Sequence, residues 1–112
     1  MVEKQWKFLQ DLAKLIEYAK GLGFVLVGGE LYRTREQQEI YFKQGKSKTL
    51  NSRHCQRLAI DLLIMTQKDR VWVIDGDYEK YKKLGEYWKS LDVDNVWGGD
   101  WGWDANHFEK KP

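Results

Sequence analysis

Hydrophobic residues at helical spacing open the chain and predict a first helix from roughly Glu3 to Lys20. Gly21 and Gly23 follow this stretch and end it, because glycine disfavours the helix interior. The apolar positions of the stretch are Trp6, Leu9, Leu12, Ala13, Ile16 and Ala19. We therefore expect a helix that packs against the core and carries no chemistry of its own.

Two short elements are predicted next. Phe24–Val27 is an apolar run bounded by glycines, which is typical of a buried strand. Thr34–Gln37 has the form of a capping box, in which Thr34 is the N-cap of a second helix. This helix should run to about Lys43, and Gly45 supplies its C-terminal cap.

The strongest strand of the chain is predicted over Leu58–Met65, and it contains one charge, Asp61. Its two faces carry Ala59, Asp61 and Leu63 on one side, and Leu58, Ile60, Leu62 and Ile64 on the other. A carboxylate in so apolar a segment is costly unless it is paired or bound to a metal. Asp61 is therefore expected to have a partner.

The remaining pattern predicts a hairpin and a third helix. Residues 66–70 form a turn into the strand Val71–Ile74, and Tyr78–Leu91 shows helical spacing. Residues 92–112 are irregular, with a short strand at His107–Glu109. This order of elements predicts an α+β fold, a small antiparallel sheet with about three helices. A length of 112 residues predicts a single domain, 1–112.

Composition and charge exclude several classes of function. The 19 basic and 17 acidic residues are spread along the chain, so no nucleic-acid partner is expected. No apolar run approaches the roughly 18 residues of a membrane span, and no signal peptide is apparent. We therefore expect no stable membrane association. Cys55 is the only cysteine, which excludes an internal disulfide, and we expect it to be a small buried residue.

The candidate chemistry centres on the only two histidines, His54 and His107, each of which stands near a carboxylate. With Asp61 they make a set of three ligands that would leave one position open on Zn²⁺ for water. Asp104, three residues before His107, would be ionised and able to accept a proton. The alternative is that these are unrelated surface or capping residues, and spacing alone does not decide between the two.

Six tryptophans are many for this length, and four of them lie in the last quarter of the chain. Trp88 and Trp97 are expected to fill the core. Trp101 and Trp103 flank a glycine beside the candidate ligand His107, and they are expected to wall a cleft.

Two spaced motifs resemble a known family. Ser52-x-His54-x6-Asp61 is followed by Trp97-Gly-Gly-Asp-Trp101 and by Asp104-x-x-His107-Phe-Glu109. This pattern resembles the zinc D-alanyl-D-alanine carboxypeptidases, and within them the phage L-alanyl-D-glutamate endolysins. The similarity runs from about Leu31 to Glu109.

The resemblance implies roles for particular residues. Zinc would be bound by His54, Asp61 and His107, and Asp104 would be the catalytic base. Arg33, just before the predicted second helix, would bind substrate and stabilise the oxyanion, or else be a salt-bridged surface residue. Ser52 and Trp101 would lie near the substrate.

The function implied is hydrolysis of the L-Ala–D-Glu bond in the stem peptide of peptidoglycan. One alternative is a D,D-carboxypeptidase that removes terminal D-Ala, and another is a non-catalytic module that binds the cell wall. The resemblance also implies a monomer that accumulates in the host cytoplasm before lysis. It would then reach the periplasm or cell wall through a holin-like protein that permeabilises the membrane.

The sequence departs from the family pattern at two positions. Arg57 stands where much of the family has glycine, which would permit a positive φ or a close approach. Asp104 stands where the dipeptidases of the family carry glutamate, so this base would have to approach the water more closely.

Overall fold

A computed structural model describes residues 1–112 and confirms the predicted α+β class, with three α-helices and an antiparallel sheet of five strands. The helices are α1 (Val2–Gly21), α2 (Arg35–Lys43) and α3 (Tyr78–Leu91). The strands are β1 (Val25–Gly28), β2 (Ala59–Lys68), β3 (Val71–Ile74), β4 (Asn95–Trp97) and β5 (His107–Lys110). Two 3₁₀ turns, Arg53–Gln56 and Gly98–Trp101, complete the regular structure. No helix is both long enough and apolar enough to cross a membrane.

Strand β2 organises the sheet because three other strands pair with it. One of its edges pairs with β1, in a register that sets Val25 opposite Met65. The other edge is shared, since β5 pairs with residues 59–61 and β3 with residues 65–68. The hairpin predicted between β2 and β3 is thereby confirmed, but β2 runs on to Lys68, so the turn is shorter than the predicted 66–70. The short edge strand β4, which pairs with β5, was not predicted.

The core lies between one face of β2 and the helices α1 and α3. The four aliphatic residues predicted to share a face of β2 are buried there, as are the predicted core tryptophans Trp88 and Trp97. The rings of Phe8 and Phe108 meet Trp88 edge-on, at centroid distances of 5.6 and 6.2 Å. Such contacts between aromatic rings add to the burial of apolar area.

The prediction of which face of α1 is buried was largely wrong. The helix buries Phe8, Leu12, Leu15 and Ala19, whereas Trp6, Leu9 and Ile16 are exposed. Both sets have helical spacing, and they form two stripes about 100° apart around the helix. Periodicity alone could not choose between them.

Two further predictions of burial were also wrong. Val25 and Val27 of β1 are exposed, because β1 is an edge strand whose outer face carries no helix. Cys55 is half-buried rather than buried, since it lies in the surface turn Arg53–Gln56. The N-cap predicted for α2 is confirmed, as the Thr34 hydroxyl accepts a hydrogen bond from the Gln37 N–H at 3.1 Å.

A buried ion pair joins the two ends of the chain. Lys110 of β5 is fully buried, and its Nζ lies 3.1 Å from Asp11 of α1 and 3.2 Å from Asp92. The Asn95 amide also donates to Asp11, at 3.1 Å. An unpaired ammonium in this position would cost several kcal/mol. The pairing therefore holds β5 against α1.

Arg57 adopts the conformation that glycine favours. Its φ is 58°, in the left-handed region, where it ends the 3₁₀ turn Arg53–Gln56. The guanidinium lies 4.0 Å from the centre of the Tyr32 ring. A positive φ, one of the two reasons considered for glycine at this position, is therefore present here. The contact with Tyr32 compensates in part for the strain.

We expect Arg57→Gly to be more stable than Arg57→Ala by about 1 kcal/mol, because both lose the contact with Tyr32 but only glycine relieves the backbone strain. Urea unfolding of the two variants measures the difference. The same pair of substitutions at Arg35, in the first turn of α2, is the control and should show the opposite order. If Arg57→Ala were as stable as Arg57→Gly, or more stable, the backbone at residue 57 would not be strained.

Candidate active site

His54 is positioned by the 3₁₀ turn Arg53–Gln56. The Ser52 hydroxyl caps this turn by accepting the His54 N–H at 3.2 Å, and the imidazole is buried. Its Nδ1 lies 3.2 Å from the Leu31 carbonyl oxygen. A carbonyl oxygen only accepts hydrogen bonds, so Nδ1 donates to it, and Nε2 is the nitrogen that faces Asp61. Nε2 lies 3.5 Å from Asp61 Oδ1.

Asp61 and His107 face each other across β2 and β5. The backbone N–H and C=O of Asp61 bond instead to Glu30 and Gly29, on the opposite edge of β2. The Asp61–His107 pair is thus of the non-hydrogen-bonded type, in which opposite side chains come closest. Its Nδ1···Oδ1 distance is 3.3 Å. The partner expected for Asp61 is therefore present.

Glu109 holds the other nitrogen of His107. The two residues share a face of β5, and Nε2 of His107 lies 2.8 Å from Glu109 Oε1. A carboxylate in this position orients the ring and leaves Nδ1 available to bind a metal ion. Each imidazole therefore has one nitrogen held by an acceptor and the other beside Asp61.

The three donor atoms fit a tetrahedral metal ion. His54 Nε2, Asp61 Oδ1 and His107 Nδ1 all lie within 4.8 Å of one another. The two distances to Asp61 are 3.5 and 3.3 Å. Ligands about 2.0–2.2 Å from Zn²⁺ in a tetrahedron are about 3.3–3.6 Å apart. Two imidazoles and one carboxylate are also a donor set that zinc takes in hydrolases. The residues present therefore suit zinc.

The same contacts shift two pKa values in the chain without metal. Burial disfavours the charge on Asp61, but hydrogen bonds from His107 and His54 outweigh it and hold the pKa of this carboxyl well below its usual value. Burial likewise disfavours a charged His107. Its hydrogen bonds to Asp61 and Glu109 prevail and raise its pKa to about 9.

Asp104 lies beside the donor set without being part of it. Its Oδ2 is 3.9 Å from His107 Nδ1. Burial is the main cause that raises the pKa of this carboxyl; His107 and His54 oppose the rise, and the negative charges of Asp61 and Glu109 add to it. A carboxylate with a raised pKa at this distance is suited to exchange a proton with a water near the three donors.

Three glycines permit the packing that places Asp104 and His107. A Cβ on Gly98 would overlap the Asp104 carbonyl oxygen and lie 2.9 Å from His107 Cβ. A Cβ on Gly99, or on Gly85 of α3, would overlap the Trp97 ring. The Trp-Gly-Gly motif is therefore a close-packed support beneath the site.

Arg33 is held in a fixed orientation. It donates to both carboxylate oxygens of Glu30, at 2.5 and 2.9 Å, and to Gln38 Oε1 at 2.7 Å. These bonds occupy three of its five N–H groups, so each terminal nitrogen keeps one for another partner. The hydrogen bond to Glu30 is the main cause of its raised pKa. The partners Glu30 and Gln38 were not predicted from the sequence.

The predicted site residues line a single cleft of about 530 Å³. Arg33, Ser52, His54, Asp61, Trp101, Trp103, Asp104 and His107 all contribute to its wall. Sequence reasoning missed the loop 46–49, which forms another part of the wall. Gln38 anchors this loop by donating to Ser47 Oγ at 2.8 Å and to the Thr49 carbonyl at 2.5 Å.

Comparisons with known proteins agree with the motifs. A family model described as D-alanyl-D-alanine carboxypeptidase matches residues 45–110. The L-alanyl-D-glutamate peptidase of Listeria phage A118 is 34% identical over 90 residues, which are 79% of this chain and 30% of that protein. The chain thus spans about a third of the length of this relative.

A solved structure has the same fold. The crystal structure of the Serratia marcescens L-Ala D-Glu endopeptidase ChiX superposes with a TM-score of 0.74 at 21% identity. The match covers 94% of this chain and 78% of that chain.

We expect NMR titration of the metal-free protein to give a pKa of about 9 for His107, and Glu109→Gln to lower it. The folded pKa exceeds the unfolded value of about 6.5, so these contacts stabilise the fold fully below that pH, and the stabilisation is lost as the pH rises through 9. Unfolding by urea at pH 6 and pH 10 tests this sign. Glu86→Gln, which removes an exposed carboxylate on α3, is the control. An unchanged His107 pKa in Glu109→Gln would argue against the contact.

Proposed function

Because the chain belongs to the D-alanyl-D-alanine carboxypeptidase family, whose peptidases are zinc-dependent in general, we propose that it is a zinc peptidase of peptidoglycan. The bond that we propose it hydrolyses is the L-Ala–D-Glu bond of the stem peptide. The similarity to the L-alanyl-D-glutamate peptidase of the Listeria phage supports this choice of bond.

The observation that carries the proposal is the set of donor atoms on His54, Asp61 and His107, next to Asp104 and within one cleft. These three residues would hold the zinc ion. Zinc bound there would supply a Lewis acid for the substrate carbonyl and a water of much lower pKa.

Asp104 moves the proton in the proposed reaction. Its carboxylate accepts a proton from the attacking water and returns it to the leaving amine of D-Glu. In the chain without metal, burial raises the pKa of Asp104 and so favours the protonated carboxyl. General acid–base catalysis of this kind contributes about 10²–10⁴-fold to a rate.

Arg33 is proposed to bind the substrate and to stabilise the negative charge that develops on the attacked carbonyl oxygen. Its guanidinium is fixed by Glu30 and Gln38 and keeps two N–H groups available. Donors that are already oriented need no rearrangement during the reaction. Ser52 and Trp101, which lie in the same cleft, are proposed to contact the substrate.

A second candidate is removal of terminal D-Ala by the same chemistry. The description of the matching family model, D-alanyl-D-alanine carboxypeptidase, favours it. The two activities give products of different mass from the same peptidoglycan.

The setting that we propose follows the phage relative. The protein would be a monomer that accumulates in the host cytoplasm. It would act on the cell wall once a membrane-permeabilising protein gives access.

We expect purified peptidoglycan to release new amino termini when incubated with the protein, and a chelator to abolish the release. Zinc content should be close to one ion per chain and should fall near zero in His54→Ala, together with activity. Cys55→Ser, at the neighbouring residue in the same turn, is the control. Mass spectrometry of the products identifies the bond. Full activity in His54→Ala would refute the mechanism, and loss of a single D-Ala would favour the second candidate.

We expect Asp104→Asn to lower kcat by about 10²–10⁴-fold while leaving the zinc content unchanged, because the amide cannot accept the proton. Asp104→Glu should retain more activity than Asp104→Asn. Asp100→Asn alters an exposed carboxylate of the same segment, which pairs with Lys89 at 2.8 Å, and serves as the control. Wild-type kcat in Asp104→Asn would exclude this residue as the base.

A further inference from the structure

Two exposed tryptophans, Trp101 and Trp103, lie together in the wall of the cleft. Trp101 is 42% exposed and Trp103 is 59% exposed, whereas Trp97 is buried. The centres of the two exposed rings are 5.8 Å apart. Exposed aromatic surface that is concentrated in a cleft marks a binding site.

This aromatic pair is contiguous with the catalytic residues. The Trp101 ring centre lies 5.2 Å from that of His107. Gly102, between the two tryptophans, has a φ of 88° and ends the 3₁₀ turn, which brings both side chains to the cleft wall. From His107 the wall therefore continues as Trp101 and then Trp103.

A lysine adjoins the aromatic pair. Lys48 Nζ lies 4.7 Å from the centre of the Trp103 ring. Its loop is anchored by the hydrogen bonds from Gln38 to Ser47 and Thr49. The cleft thus offers flat apolar faces beside a hydrogen-bond donor. A pyranose ring has the complementary surface, with C–H groups on its faces and hydroxyl or amide groups around its edge.

We propose that Trp101, Trp103 and Lys48 form a subsite for the N-acetylmuramic acid sugar that carries the stem peptide. This inference rests on the proposed function. In peptidoglycan this sugar is joined by its lactyl group to the nitrogen of L-Ala. An extended L-Ala spans about 3.5 Å and the lactyl group about as much again. The sugar therefore begins about 7 Å from the cleaved bond, which is comparable with the steps of 5.2 Å from the His107 ring centre to that of Trp101 and 5.8 Å onward to Trp103.

The consequence is a preference for stem peptides that still carry their sugar. The test compares two soluble substrates with the same peptide, one bearing N-acetylmuramic acid and one bearing an acetyl group on L-Ala. We expect wild-type kcat/KM to be at least about tenfold higher for the substrate with the sugar. Trp103→Ala and Lys48→Met should lower kcat/KM mainly for that substrate and so reduce the ratio.

Trp72→Ala is the matched control. Trp72 is 52% exposed on β3 and does not line the cleft, so its removal should leave both rates unchanged. Equal wild-type rates on the two substrates would overturn the subsite. A loss in Trp103→Ala that is equal on both substrates would also overturn it, because the indole would then contact peptide rather than sugar.

A binding measurement separates this inference from the proposed function. Titration with the methyl glycoside of N-acetylmuramic acid should shift the indole N–H signals of Trp101 and Trp103 in NMR spectra and leave that of Trp72 unchanged. If the wild type cleaves neither substrate, the peptidase proposal fails while this titration still reports on the subsite. Absence of any shift at Trp101 and Trp103 at millimolar sugar would refute the subsite.

Discussion

The antiparallel pairing of β2 with β5 is the interaction on which the rest of the structure depends. Alternate residues of β2 face opposite sides of the sheet. Ile60, Leu62 and Ile64 pack in the core, whereas Asp61 faces the cleft. The register places Asp61 opposite His107. A slip of one residue would expose the aliphatic side chains and bury the carboxylate without its partner. The core and the donor set thus depend on the same strand pairing, so a change in its register would disrupt both.

Helices, strands and site residues could be predicted where the sequence pattern has one structural interpretation. Where the pattern has two interpretations, or is too short, they could not. Strand β2 and helix α3 were located because their apolar residues form one consistent face. Helix α1 was located, but it has two apolar stripes, and only the tertiary structure selects the one containing Phe8 and Leu15. Strand β4 has three residues, which is too short to show an alternation of hydrophobic and polar positions. In the site, Asp61 could be singled out because an isolated carboxylate is costly in an apolar strand. Glu30, Gln38 and Lys48 could not, since only the fold brings Glu30 and Lys48 to the cleft and Gln38 to the residues that line it.

The motifs that carry the family resemblance have a structural reason as well as a chemical one. Trp97 fills the space between α3 and the Gly98–Trp101 turn, and the glycines on either side of its ring allow that approach. Gly98 lets the turn lie against Asp104 and His107. Arg57 shows that glycine is not indispensable where φ is positive, and its contact with Tyr32 compensates in part for the strain. The motif residues therefore support the functional side chains through close packing.

The buried ammonium of Lys110 has a consequence for the order of assembly. It joins β5 to Asp11 of α1 across 99 positions of sequence, and β5 also carries His107 and Glu109. Contacts between residues so distant in sequence form late, because closing a long loop costs entropy before any contact repays it. The Lys110–Asp11 ion pair therefore forms only when β5 meets α1, and the same strand carries His107. A nascent chain that ends before His107 has neither the complete donor set nor the lysine that anchors β5, so both are completed only when the C-terminal strand has been synthesised.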